Sequence, residues 1–166
     1  DPMSTLSPGE AYTLVARSIG WGHNVIANLP LVRTLPSATL SKPMAKKAVI
    51  VGAGPSLEKN AHWLRLFDGM VISTNTAAPA VDAAGRVPDL VVAIESMDTS
   101  SRCKTAAKRW ALDLQAHPGW FARANGGAMW LTDQAPATER MAADFAAPQL
   151  IGGTAALTYA VALALH

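Results

Sequence analysis

The chain has 166 residues, half of them hydrophobic and only 16% charged. That balance excludes disorder, which needs few apolar residues and much charge, and the length suits one domain with its own core. A formal charge of +2 with only the short doublets Lys46-Lys47 and Lys108-Arg109 offers no basic stripe for nucleic acid.

Cys103 is the single cysteine, so no internal disulfide and no thiolate metal centre can form. It reads as inert packing, and the lack of disulfides fits a reducing, cytoplasmic setting. No stretch of about 18 uncharged apolar residues is present to span a membrane, and no basic-then-apolar leader opens the chain. The histidines His23, His62, His117 and His166 form no ligand pair at helical spacing, so no metal site is expected.

Pro8 to Trp21 repeats Leu14, Val15, Ile19 and Trp21 at helical spacing. Asn24 to Val32 is a second apolar piece broken by Pro30, and Pro36 to Pro43 reads as a linker. Residues 1–45 are therefore expected to be a small helical appendage, and residues 46–166 the main domain. Ala48 to Val51 is a short β-branched run that reads as a buried strand. Leu57 to Phe67 follows as a helix, Met70 to Thr74 as a second strand, and Pro79 to Ala84 as a short helix ended by Gly85. Arg86 to Asp89 reads as a structural lead-in to a third strand, Leu90 to Ile94. Thr99 to Ala116 reads as a helix stopped by Pro118-Gly119, and Asn125-Gly126-Gly127 as a plain turn. Met129 to Leu131 is a fourth strand, Pro136 to Phe145 a helix and Gln149 to Ile151 a fifth strand. Alternation of strands and helices predicts an α/β, Rossmann-like, mostly parallel sheet flanked by helices. The final apolar pattern reaches His166 without a stop signal, so a longer parent protein is expected.

In such sheets ligands bind outside the carboxyl ends of the strands. The turn Gly52-Ala53-Gly54-Pro55-Ser56 stands there. Glycines allow a phosphate to approach the backbone, or supply positive φ, and a helix start adds unpaired N–H groups. Pro55 suits that start, and Ser56 can cap it or donate its hydroxyl. The third glycine of a dinucleotide fingerprint is replaced by Leu57, and no acidic residue ends the second strand, so NAD is disfavoured. Nor does a G-K-[ST] follow, as a P-loop requires.

Asn75 and Thr76 end the second strand; an amide there can contact a nucleotide or merely form a turn. Glu95 and Asp98 follow the third strand. They can bind a metal, hold sugar hydroxyls or do acid–base work, or serve as a solvated loop residue and a helix cap. Gly152-Gly153-Thr154 repeats the glycine-and-hydroxyl pattern as a second candidate anion or sugar site.

The block V-I-V-G-A-G-P-S-L-E-K-N at Val49 to Asn60, G-R-V-P-D-L-V-V-A-I-E at Gly85 to Glu95 and G-G-T-A-A-L-T-Y-A at Gly152 to Ala160 together resemble the MptE-like domain family. That family includes the Maf motility-associated factors. The stretch N-V-I-A-N-L-P at Asn24 to Pro30 is similar to the lead-in of the Maf core, so the resemblance covers roughly Asn24 to the end. The resemblance implies one of two activities. Maf proteins transfer a nonulosonic acid from a CMP-sugar to Ser or Thr hydroxyls of flagellin. The G-x-G-P-S-L block is also similar to the CMP-holding block of bacterial sialyltransferases, which implies that Gly52, Gly54, Pro55 and Ser56 cradle the CMP phosphate and Asn75 touches the nucleotide. The archaeal branch instead implies an ATP- and magnesium-dependent pyrophosphokinase acting on 6-hydroxymethyl-dihydropterin. Its aspartate-rich segment corresponds to Glu95-Ser96-Met97-Asp98 here, which keeps acidity without a clean match. The glycosyltransferase is the first expectation and the kinase the second. A non-catalytic nucleotide-binding module is the third, since no base is obvious. The expected partner is thus a nucleotide-type small molecule, with flagellin or another protein as acceptor.

Overall fold

A computed structural model describes residues 8–36 and 47–131. Five strands, β1 (Ala48–Val51), β2 (Met70–Thr74), β3 (Leu90–Ala93), β4 (Trp110–Asp113) and β5 (Ala128–Leu131), form one sheet in the order 1-2-3-4-5. Every neighbouring pair is parallel, with registers such as Val51 on Ser73, Ser73 on Val91 and Val91 on Trp110. The expected α/β, Rossmann-like sheet is what the chain forms. Among the described strands the order never reverses, so their shared carboxyl edge, not a switch-point crevice, is the surface available to a ligand.

The pleat sends alternate side chains to opposite faces. Leu57, Leu64 and Val81 pack with Val49, Val51 and Val71 on one face. Further along that face Trp120 and Phe121, from helix α4 (Pro118–Ala124), meet Val91, Trp110 and Leu112. Right-handed crossovers that step one way along a sheet must share a face. The opposite face is buried as well, at Ile72, Leu90, Val92 and Ala111, which explains why these strands read as unbroken apolar runs.

Two corrections concern helices. Thr99 to Ala116 is not helical: only Ser100–Arg102 makes a 3₁₀ turn, and Trp110–Asp113 is the fully buried strand β4. Alanine and flanking basic residues suggest a helix locally, but burial between two strands overrides that propensity. The helix expected over Leu57 to Phe67 is a five-residue α2 (Ser56–Asn60) that tightens into a 3₁₀ segment, Ala61–Leu66. The strand expected at Met129 to Leu131 is β5, and α3 (Ala78–Ala83) lies where a short helix was expected. Asn125 at φ 44° and Gly126 at φ 86° close α4 with a left-handed turn. The helix at Pro136 to Phe145, the strand at Gln149 to Ile151 and the Gly152-Gly153-Thr154 turn lie outside the described residues.

Helix α1 (Pro8–Asn28) is continuous across the two apolar pieces read from sequence, and a 3₁₀ turn at Leu29–Arg33 follows. Its inner face is mixed: Val25 packs against the core cluster, beside two buried asparagines. Asn24 Nδ2 donates to the carbonyls of Ser96 and Gln115, and Asn28 Nδ2 donates to those of Leu114 and Ala116, all at 2.8–2.9 Å. Carbonyls past the strand ends need donors, and the two buried asparagines supply them. Ile19, one of the apolar positions of the helical repeat, is 73% exposed.

Among the described residues no helix is long and apolar enough to cross a membrane.

Candidate functional site at the carboxyl edge of the sheet

Parallel strands in sequential order bring each strand's exit to one edge, about 5 Å apart. Along that edge stand Gly52–Ser56 after β1, Asn75–Thr76 after β2, Glu95–Asp98 after β3 and Leu114–His117 after β4. The residues singled out from sequence are therefore neighbours in space, apart from the second glycine turn, which is not described.

In the first turn Ala53, Gly54, Pro55 and Ser56 are exposed and Gly52 is half-buried. Neither glycine has positive φ; among the described glycines only Gly85 and Gly126 do. The need for left-handed backbone is thus removed as a reason for glycine here. A Cβ on Gly54 would meet nothing closer than Ser56 Oγ, at 3.9 Å. The fold leaves room for a Cβ at this position, so close packing does not explain the glycine. Pro55, not Ser56, takes the cap position, and Ser56 is the first helical residue. A five-residue helix carries only a small dipole, so an anion here would have to be held by N–H groups of the turn, and that of Leu57 already donates to the Gly54 carbonyl at 2.9 Å.

Asn75 extends the sheet by one bond, its N–H donating to the Val92 carbonyl at 3.0 Å. Its own carbonyl accepts from the Cys103 thiol at 3.2 Å. Burial pushes that thiol above its ordinary pKa; nearby Arg123 opposes the shift and Asp82 adds to it. Cys103 is therefore a buried donor that pins Asn75, in keeping with inert packing. Thr76 is exposed beside it.

After β3, Glu95 Oε1 lies 3.8 Å from Arg17 of α1 and accepts from the Met97 N–H. Asp98 does not cap an α-helix: only the 3₁₀ turn Ser100–Arg102 follows, with Thr99 in its cap position. Its Oδ1 accepts from Ser100 Oγ at 3.0 Å and lies 3.7 Å from His117 Nδ1. His117 caps α4 by accepting from the Gly119 N–H at 3.2 Å, and its own N–H donates to the Glu95 carbonyl. That cap places the proton of the neutral ring on Nε2. The loops after β3 and β4 are thus stitched together.

Sequence reasoning missed Asp113 and His117, because both fall in or just after the segment read as a helix. Asp113 ends β4, is 1% exposed, and accepts from the Gln115 N–H at 2.6 Å. It lines a cavity of about 120 Å³ with Arg17, Trp21, Glu95 and Gln115. Once Trp110–Asp113 is taken as a strand, an aspartate at its carboxyl end becomes a signal. No group of three or more metal-binding side chains occurs among the described residues.

The lead-in at Arg86 to Asp89 lies at the other end of the sheet. Asp89 Oδ2 accepts from Arg86 at 2.6 Å and from the Val71 N–H at 2.8 Å, and Arg86 also donates to the Gly69 and Val87 carbonyls. Its reading as structural holds.

No curated protein matches the chain significantly. The family model described as 6-hydroxymethylpterin diphosphokinase MptE-like matches residues 23–166, opening within α1 next to Asn24. This carries a nucleotide-related transferase role at the level of the family, and the chain belongs to the MptE-like family.

Proposed function

We propose that the protein is a nucleotide-sugar-dependent glycosyltransferase of the Maf type, holding the phosphate of a CMP-linked nonulosonic acid at Gly52–Ser56. The observation that carries this reading is the glycine turn itself: exposed, free of positive φ and open at the Gly54 Cβ position. An anionic leaving group needs such N–H donors as charge develops on it. Asn75 and Thr76, one strand over, face the nucleotide. Asp98, whose side chain is 61% exposed, takes the proton of the acceptor hydroxyl, a Ser or Thr of a protein such as flagellin. That oxygen attacks the anomeric carbon, the bond to the phosphate breaks, and CMP departs with the electron pair. Glu95, paired with Arg17, is the alternative base. The reaction takes place in the cytoplasm.

A second reading, an ATP-dependent diphosphokinase acting on a hydroxymethylpterin, is favoured by Glu95 and Asp113 lining one cavity. Magnesium is commonly held by one or two carboxylates plus substrate phosphates. These two residues fit that limited demand, and the ion would neutralise phosphate charge there. A third reading, a nucleotide-binding module without catalysis, stands on Glu95 and His117 being engaged in holding loops together.

Titration calorimetry with CMP, ATP, and ATP with magnesium separates the three. The proposal expects CMP to bind, more tightly than ATP, and Gly54→Phe to abolish it. Tighter ATP binding that requires magnesium selects the kinase. Binding with no turnover of any donor by the longest natural form of the protein selects the module.

A further inference from the structure

Two neighbouring loops of the candidate site are gripped by one side chain. The loop after β3 carries Glu95 and Asp98, and the loop after β4 carries Gln115 and His117. Asn24 Nδ2 donates to the Ser96 carbonyl in the first loop and to the Gln115 carbonyl in the second, both at 2.9 Å. A primary amide nitrogen has two hydrogens and no charge, so one atom serves both loops. Asn28, one turn on, uses its two hydrogens differently: it donates to Leu114 and Ala116, both in the loop after β4. The bond from the His117 N–H to the Glu95 carbonyl, at 3.0 Å, joins the same short stretches of the two loops that Asn24 spans. Arg17 and Trp21 stand on the same side of α1 as the asparagines, and they line a cavity with residues of both loops, Glu95 and Gln115 among them.

We infer that Asn24 is a positioning residue of the candidate site: its two bonds set the spacing between Glu95–Asp98 and Gln115–His117. The inference rests on the proposed transfer at this edge, in which Asp98 takes the proton of the acceptor hydroxyl. The bonds of Asn24 go to loops two and three strands away from the glycine turn. It therefore acts on the geometry of the base and not on the seat of the phosphate. Catalysis is sensitive to such spacing, since about 1 Å of misplacement can cost roughly a hundredfold. The residue type follows from the task. Aspartate would face two carbonyls with acceptors alone, and serine has a single donor. Asn28 is the internal comparison, equal in chemistry and also buried, but confined to one loop. Amides that merely satisfied buried carbonyls would be interchangeable, whereas a brace between loops is a property of Asn24. The helix read from sequence as an appendage is thereby part of the site.

The test compares Asn24→Ala with Asn28→Ala in the longest natural form of the protein. Each strands two carbonyls, so both are expected to lower the melting temperature by similar amounts. The reaction followed is CMP release from a CMP-linked nonulosonic acid with flagellin as acceptor. Its kcat is expected to fall at least about tenfold in Asn24→Ala and only a few-fold in Asn28→Ala. The KM for the donor and the CMP affinity by calorimetry stay unchanged in both. Equal losses of kcat in the two variants overturn the inference and leave the transferase reading standing. So does a loss in Asn24→Ala that appears in KM and CMP affinity instead. A wild type inactive with the CMP-sugar but active with ATP, magnesium and hydroxymethylpterin overturns the transferase reading. The inference then survives if kcat of that reaction shows the same split, and fails if it does not. A wild type inactive in both assays overturns both. Should Asn24→Ala not fold, Asn24→Ser, which keeps one donor, is judged by the same split against Asn28→Ser.

Discussion

Two segments that carry the family resemblance differ completely in how their polar groups are used. At the amino edge of the sheet, Arg86 and Asp89 spend their bonds on the protein: the guanidinium holds Gly69, Val87 and Asp89, and the carboxylate holds the Val71 N–H. At the carboxyl edge, Gly52–Ser56 is mostly exposed, and Gly54 could accommodate a Cβ without a clash. A motif closed upon itself is explained by folding. A motif that is exposed, with room for a Cβ at its central glycine, is left open to an external partner. Both would look equally diagnostic in a family pattern, and only the geometry separates them.

The comparison can be broken at either end. Gly54→Phe is expected to have the largest effect, lowering nucleotide affinity at least about 100-fold, near 2.7 kcal/mol, while the melting temperature moves little. A variant that binds normally would place the ligand elsewhere. Asp89→Ala is expected to do the reverse. It strands the Val71 N–H and the Arg86 guanidinium, costing about 1–3 kcal/mol in denaturant unfolding, and the folded fraction keeps its affinity. Ser56→Ala sharpens the contrast with a smaller effect, about 1 kcal/mol of affinity from one hydroxyl and no stability change beyond about 0.5 kcal/mol.

Cys103 gives a pH test of the same edge. Its folded pKa is raised, chiefly by burial. The stability it contributes is therefore complete below the unfolded thiol value of about 8.5 and is lost as pH rises from there through the folded value. Unfolding at pH 7 and pH 10 should show that decline, and Cys103→Ser should flatten it. Iodoacetamide at pH 8 should label the native protein far more slowly than the denatured one.

Much of this was legible in the residues. Val49-Ile50-Val51, Met70 to Thr74 and Leu90 to Ala93 announce themselves as strands through β-branched runs, and Gly52–Ser56 follows as the turn. Trp110–Asp113 did not, because a strand buried on both faces loses alternation and its alanine-rich, basic surroundings imitate a helix. Hiding that strand also hid Asp113 and the part His117 plays beside Asp98. Helix α1 misled in another way: periodicity located the helix but not its inner face. The open carbonyls after β3 and β4 demanded donors, so the asparagines went inward and Ile19 and Ile26 were left outside. That preference depends on partners more than 70 residues away, which no local window contains.

The central claim is that the main chain of the first turn receives a nucleotide phosphate, and an amide-resolved NMR titration with CMP addresses it most directly. The account predicts saturable shifts centred on the N–H groups of Ala53, Gly54, Ser56 and Leu57, smaller ones at Asn75 and Thr76, and none at Arg86 or Asp89. Saturable binding that leaves the Ala53–Leu57 amides unmoved, or no binding at millimolar CMP or ATP, would contradict it.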